Sequence, residues 1–155
     1  MLRNANRANG GAGFTLIELL VVVAVIGIIS AIAMPNLLNA LDKSKQKKTM
    51  SDVRTIGVAV EAYATDASNY PNGISGWANL KTIIDPYFIK SPPDTDGWNN
   101  IWDASTTVNG TNYTIASYGR DGAPSARGGG ATTDFNCDIV FSQGRFFQWP
   151  EGTQS

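Results

Sequence analysis

Histidine is absent from this 155-residue chain, and cysteine occurs once, at Cys137. Without imidazole there is no His-based acid–base catalysis and no His metal ligand. One cysteine cannot close an internal disulfide, so Cys137 reads as a small buried strand residue. Charge is sparse and nearly balanced at −1 overall, falling to −3 once Arg3 and Arg7 are removed. That excludes the basic footprint of a nucleic-acid binder. No glycine-rich phosphate loop follows a strand, and Ser125 and Ser142 have no base beside them. Two tripeptides, Asn109-Gly110-Thr111 and Asn112-Tyr113-Thr114, fit the N-glycosylation pattern, but the pattern alone carries little weight. The residues supply no catalytic constellation, and the chain reads as a non-enzyme.

What the chain does have is one long apolar run. From Phe14 to Met34 there are 21 residues, and Glu18 is the only charged one. At about 1.5 Å per residue such a helix spans roughly 30 Å, the thickness of a bilayer core. A charge inside a membrane helix costs about 2.5–3.5 kcal/mol on insertion scales, so Glu18 marks a function. The lead-in carries Arg3 and Arg7 and no acid, which by the positive-inside rule places it in the cytoplasm. A secretory signal puts its cut after the apolar region, at a small-residue site such as Ala-x-Ala.

Gly13-Phe14-Thr15-Leu16-Ile17-Glu18-Leu19-Leu20, followed by Pro35, resembles the N-terminus of type IV pilin and pseudopilin precursors. The resemblance implies that prepilin peptidase cuts between Gly13 and Phe14 and methylates the new Phe14 amine. It also makes Glu18 the family's fifth-position glutamate. Two opposite charges at 4 Å attract by about 4 kcal/mol at an effective dielectric near 20. The partner amine is either the chain's own, four residues away, or that of a neighbouring subunit in a filament, which also sets register. A third reading is a glutamate that snorkels to the interface.

Pro35 removes one helical hydrogen bond and is expected to kink the helix or loosen the turn before it; Gly27 weakens the same stretch. In filaments of the family the segment between such residues can be partly unwound. Beyond Pro35, apolar residues recur at Leu37, Leu38, Leu41, Val53, Ile56, Val60, Tyr63 and Ala64. Steps of three and four indicate an amphipathic helix with one buried face, interrupted by a solvated turn at Lys43, Lys45, Lys47 and Lys48. It should end between Asp66 and Asn69, before Tyr70-Pro71-Asn72-Gly73. The organisation is therefore a leader over 1–13, a membrane helix over 14–34, an amphipathic helix over 35–69 and a head over 70–155.

The head reads as a loop-rich α+β unit. Trp77, Leu80, Ile83 and Ile84 suggest one or two helical turns before Asp85-Pro86, and β-prone runs cover Tyr113 to Tyr118, Cys137 to Ser142 and Arg145 to Trp149. Gln143-Gly144 signals a hairpin between the last two. A small antiparallel sheet packed on the long helix buries both apolar faces, with the four tryptophans as core and loop anchors.

Within the head, Tyr70-Pro71, Pro86-Tyr87, Pro93-x-x-Asp96-Gly97-Trp98-Asn99-Asn100 and Ser117-Tyr118-Gly119-Arg120-Asp121-Gly122 resemble the major pseudopilin of type II secretion systems. The chain departs from that pattern with Gly97 for a proline, Asn99 for a glycine and Ile101-Trp102 for Pro-Tyr. The family's matching loop binds calcium. Carried over, the ligands are Asp121 and Asp138, with Asp134 and the Tyr118 carbonyl beside them; a Gly- and Ser-rich loop suits an ion that takes six to eight oxygens. Against it stand a longer loop, Gly128-Gly129-Gly130, Arg120 and Arg127. The competing reading has the aspartates capping turns or pairing with arginine in solvent.

By resemblance the chain is a structural subunit of a secretion pseudopilus, with the type IV pilus (adhesion, motility or DNA uptake) as the alternative and a membrane-tethered binding protein or enzyme behind both. The implied partners are other copies in a homo-oligomeric helical filament, prepilin peptidase, an inner-membrane assembly platform and minor pseudopilins, with no nucleic acid. The implied location is the bacterial inner membrane, single-pass, with a cytoplasmic N-terminus and a periplasmic or extracellular head.

Overall fold

The computed structural model describes residues 13–152 and residue 154; most of the leader, including Arg3 and Arg7, lies outside the described residues. The chain divides into two compact units, one ending at Leu38 and one starting at Asn39. Helix α1, Leu16–Ala67, contributes to both.

In the first unit α1 is apolar around its whole circumference. Its large apolar side chains from Leu16 to Leu38 are exposed, with none covered by another described residue. Helical geometry satisfies its backbone groups internally, as lipid requires. The helix assignment runs through Gly27 and Pro35 without a break. The loosening expected at Pro35 therefore does not interrupt the helix, although the missing N–H leaves the Ala31 carbonyl short of its usual donor. Next to it, the Asn36 side-chain amide donates to the Ile32 carbonyl at 3.3 Å.

In the second unit α1 buries Gln46, Thr49, Val53, Ile56, Gly57, Ala59 and Val60, on the expected helical period. That face starts later than the sequence pattern suggests, because Leu41 is exposed. The four lysines are solvated as expected, on an unbroken helix. At Gly57 a Cβ atom would lie 2.2 Å from Cε1 of Phe141, so glycine lets the aromatic ring rest on the helix backbone. The helix ends at Ala67, followed by Ser68 in the left-handed region at φ 63°, a common helix stop.

The head adds helix α2, Trp77–Ile84, and five strands: β1 Asp103–Thr106, β2 Tyr113–Ser117, β3 Gly130–Thr132, β4 Ile139–Ser142 and β5 Arg145–Pro150. Their order in the sheet is β1-β2-β4-β5-β3. The Gln143-Gly144 hairpin forms, with φ of 50° and 74°, as a two-residue primed turn requires. The sheet is mixed rather than antiparallel throughout, because β3 runs parallel to β5 along the outer edge. Cys137 is not a strand residue: β4 begins at Ile139, and Cys137 sits partly exposed in the turn before it.

The core joins Val53, Ile56 and Val60 of α1 to Leu80 and Ile84 of α2 and to Ala104, Tyr113, Ile115 and Phe141 of the sheet. Trp77 and Trp102 are buried with it. Their indole N–H groups donate to Asp94 and to the Pro93 carbonyl, both at 2.9 Å, which makes them the anchors the sequence suggests.

Candidate functional site

In the first unit Gly13 has open space around it, and Phe14 is 86% exposed. A peptidase needs an accessible bond, and among the described residues nothing crowds this junction. Immediately after it, Thr15 precedes the first residue of α1. The Thr15 backbone N–H and hydroxyl both donate to Oε2 of Glu18 at 2.8 Å, while Glu18 N–H points back to the Thr15 hydroxyl at 3.3 Å. This is a capping box, in which two groups three residues apart satisfy each other's free donors at the helix start. Thr-x-x-Glu before an apolar run is its sequence signature, and the charge-pair reading of Glu18 passed over it. With Gly13 still attached, residue 14 contributes an amide, and the carboxylate is held by Thr15.

In the head, the two motifs that flank the tryptophan and close β2 come together. Asp96 is 2% exposed. Its Oδ1 accepts the N–H groups of Trp98 at 2.9 Å and Asn100 at 2.8 Å, and its Oδ2 accepts the Ser117 hydroxyl. The Asn100 side-chain amide donates to the Gly119 carbonyl at 2.7 Å. The same loop docks on α1. Gly97 N–H donates to the Thr49 hydroxyl at 2.9 Å, and the Trp98 indole donates to Asp42 at 3.1 Å. A Cβ at position 97 would lie 2.2 Å from the Lys45 carbonyl oxygen, so the departure from the family's proline has a steric reason.

Each of the three aspartates expected to bind calcium has a partner within the chain. Asp121 Oδ1 caps the N–H of Ala123 at 3.1 Å, and Asp134 Oδ1 caps that of Asn136 at 2.9 Å. Only Asp138 is fully buried, and its oxygens are engaged. Oδ1 accepts from the Ser125 backbone at 2.9 Å and from its hydroxyl at 3.0 Å, and Oδ2 accepts from Arg127 Nε at 2.8 Å. Tyr118 turns its ring toward the Arg127 guanidinium, 5.6 Å away. Among the described residues no group of three or more His, Cys, Asp or Glu is arranged to hold a metal. This donor set does not fit calcium, because an arginine offers only donors where the ion needs oxygens. Asp121 and Asp134 cap turns and Asp138 pairs with Arg127, as the competing reading expects, except that Asp138 is buried rather than in solvent; Ser125 and Asp103 are the partners the sequence did not indicate.

Burial, and then the charges of Asp134 and Asp138, push the Cys137 thiol above its ordinary range, which makes it a poor nucleophile. Burial also raises the Tyr118 phenol, with Asp103 adding to the effect.

Comparison with known proteins places these features. The family model described as "Type II secretion system (T2SS), protein G" matches residues 36–136, and the one described as "Prokaryotic N-terminal methylation motif" matches residues 9–34. The chain belongs to the type II secretion system protein G family. The core protein G of Klebsiella michiganensis is 30% identical over 127 residues, covering 76% of this chain and 89% of its own. That of Aeromonas hydrophila is 31% identical, covering 72% and 84%. That of Vibrio cholerae is 30% identical, covering 77% and 87%. No solved structure matches. The protein G match begins one residue after Pro35 and takes in both head motifs, while the methylation motif encloses Gly13, Phe14 and Glu18.

Proposed function

We infer that this chain is the major structural subunit of a type II secretion pseudopilus. The observation that carries the inference is the protein G match over the head, joined to a methylation motif over the helix start. A bare apolar helix, exposed on every side in the single chain, supports assembly: it needs lipid before polymerisation and other copies of itself afterwards. In this reading prepilin peptidase cuts between Gly13 and Phe14 at the cytoplasmic face and methylates Phe14. The chain is anchored in the inner membrane with its head outside the cytoplasm. An inner-membrane platform and minor pseudopilins then draw it into a homo-oligomeric filament that drives protein export.

Cutting changes the partner available to Glu18. An amide becomes a cationic amine, and an amine from the neighbouring subunit competes with the Thr15 cap for the carboxylate. Opposite charges at about 4 Å gain several kcal/mol at intermediate dielectric, against about 1 kcal/mol for a cap. The neighbour therefore prevails once it is in reach, and Glu18 reports correct register.

A strain lacking the gene tests the reading. Loss of exported proteins from the medium, with surface motility intact, supports it. Intact export with lost twitching favours the type IV pilus.

A further inference from the structure

The guanidinium of Arg127 lies between two carboxylates from different parts of the head. Nε donates to Oδ2 of Asp138, and Nη2 donates to Oδ2 of Asp103, both at 2.8 Å. Asp138 immediately precedes β4 and its side chain is 0% exposed; Asp103 opens β1 and is partly exposed, as is Arg127 itself. In the sheet, β1 and β4 are separated by β2. One side chain thus ties the long loop after β2 to two strands that do not touch each other.

A buried carboxylate is tolerated when hydrogen bonds, a cation or both replace its water. At Asp138 both are supplied from within the chain. Arg127 brings the charge, and Ser125 donates twice to the other oxygen. The Asp138 backbone N–H donates back to the Ser125 hydroxyl at 2.9 Å, which closes the loop on itself. The Gln148 side chain then donates to the Asp138 carbonyl at 2.8 Å, and its Oε1 accepts from Gly129 N–H at 3.3 Å. The loop is thereby held at its start, its glycine run and its end.

We propose that Arg127 is the resident cation of this loop, performing from within the chain the bridging that a divalent ion performs between carboxylates, so that the head folds independently of dissolved calcium. A guanidinium is suited to the task. It is always charged, and its planar fork reaches two acceptors at once. It also bars the site to a dication: a second positive charge there meets repulsion, and both Asp138 oxygens already accept hydrogen bonds.

Thermal melts of the full-length chain in detergent test the proposal, run in millimolar calcium and in chelator. The wild-type melting temperature is expected to be the same in both. Arg127→Ala is expected to melt roughly 5–15 °C lower, as removal of one partner from a buried pair does. Arg127→Lys should fall between them, since an ammonium keeps the charge without the two-armed fork. A wild-type melt that drops in chelator, or titration calorimetry showing calcium bound by the wild type, overturns the proposal. So does Arg127→Ala melting with the wild type. If Arg127→Ala fails to fold, the wild-type melts and Arg127→Lys still decide.

Discussion

The buried carboxylate of Asp96 accepts the hydroxyl of Ser117, 21 residues further along the chain, and this contact fastens the tryptophan loop to the end of β2. Asp96 also holds two backbone N–H groups of its own loop. Asp96→Ala is expected to destabilise the head by about 3 kcal/mol, since several buried donors lose their acceptor. Ser117→Ala should cost about 1 kcal/mol, and a double-mutant cycle by urea unfolding should show the two as non-additive. Additive losses contradict a direct coupling.

Gly97 sits where loop and helix backbones nearly touch. Gly97→Ala is expected to cost about 1–3 kcal/mol, the range for forcing a methyl into a packed contact. Gly97→Pro should cost more, because it also removes the N–H that donates to Thr49. A Gly97→Pro chain as stable as wild type, measured by the same unfolding, contradicts the account of this departure from the family pattern.

Two aspartates respond to pH with opposite sign. Burial raises Asp52, with Lys48 only partly offsetting it, and one of its oxygens is buried without a partner. Its folded value lies above its unfolded one, so its favourable contribution is present below about pH 3.9 and is lost as pH rises through the folded value. Hydrogen bonds from Lys81 and then Trp77 lower Asp94. Its contribution is present above about pH 3.9 and is lost as pH falls through the folded value. At neutral pH Asp52→Asn is therefore expected to raise the melting temperature and Asp94→Asn to lower it. Melts repeated toward pH 3 should bring both variants back toward wild type. A pH-independent difference contradicts the titration account.

The contrast between what the residues announced and what they concealed has physical causes. Helix α1, helix α2 and the Gln143-Gly144 hairpin were legible because each rests on local pattern: apolar period, helix length, or a turn that needs positive φ. Glu18 stood out because a charge in a membrane run has no bland explanation. Strands β1 and β3 were not legible. Asp103-Ala104-Ser105-Thr106 and Gly130-Ala131-Thr132 have weak strand propensity, and pairing with β2 and β5 is what makes them strands. The parallel edge at β3 depends on where a long loop returns, which no local signal encodes. The aspartates of that loop were read as ligands by resemblance to the family, with a composition that suits calcium, yet neither reveals that Arg127 folds back between Asp138 and Asp103. The Thr15–Glu18 cap was readable from spacing alone, but the stronger electrostatic reading of the same carboxylate drew attention away from it.

The cap bears on assembly as well as on helix formation. Thr15→Val removes the hydroxyl that bonds Glu18 while keeping the size of the side chain. On the proposal that a neighbouring amine takes over from this cap in the filament, Thr15→Val is expected to leave filament yield within about twofold of wild type by immunoblot of sheared fractions. A loss as complete as that caused by removing Glu18 contradicts the exchange of partners and makes the cap itself the assembly determinant.

The central claim is that this is a filament subunit whose Glu18 recognises the processed N-terminus of a neighbour. The most direct measurement is electron microscopy of cells that overproduce the chain together with a type II secretion assembly machinery, comparing wild type with Glu18→Ala and confirming cleavage after Gly13 in both. The account predicts filaments from the wild type and none from Glu18→Ala, with both chains processed and present in the inner membrane. Filaments of normal length from Glu18→Ala, or none from a processed wild type, contradict it.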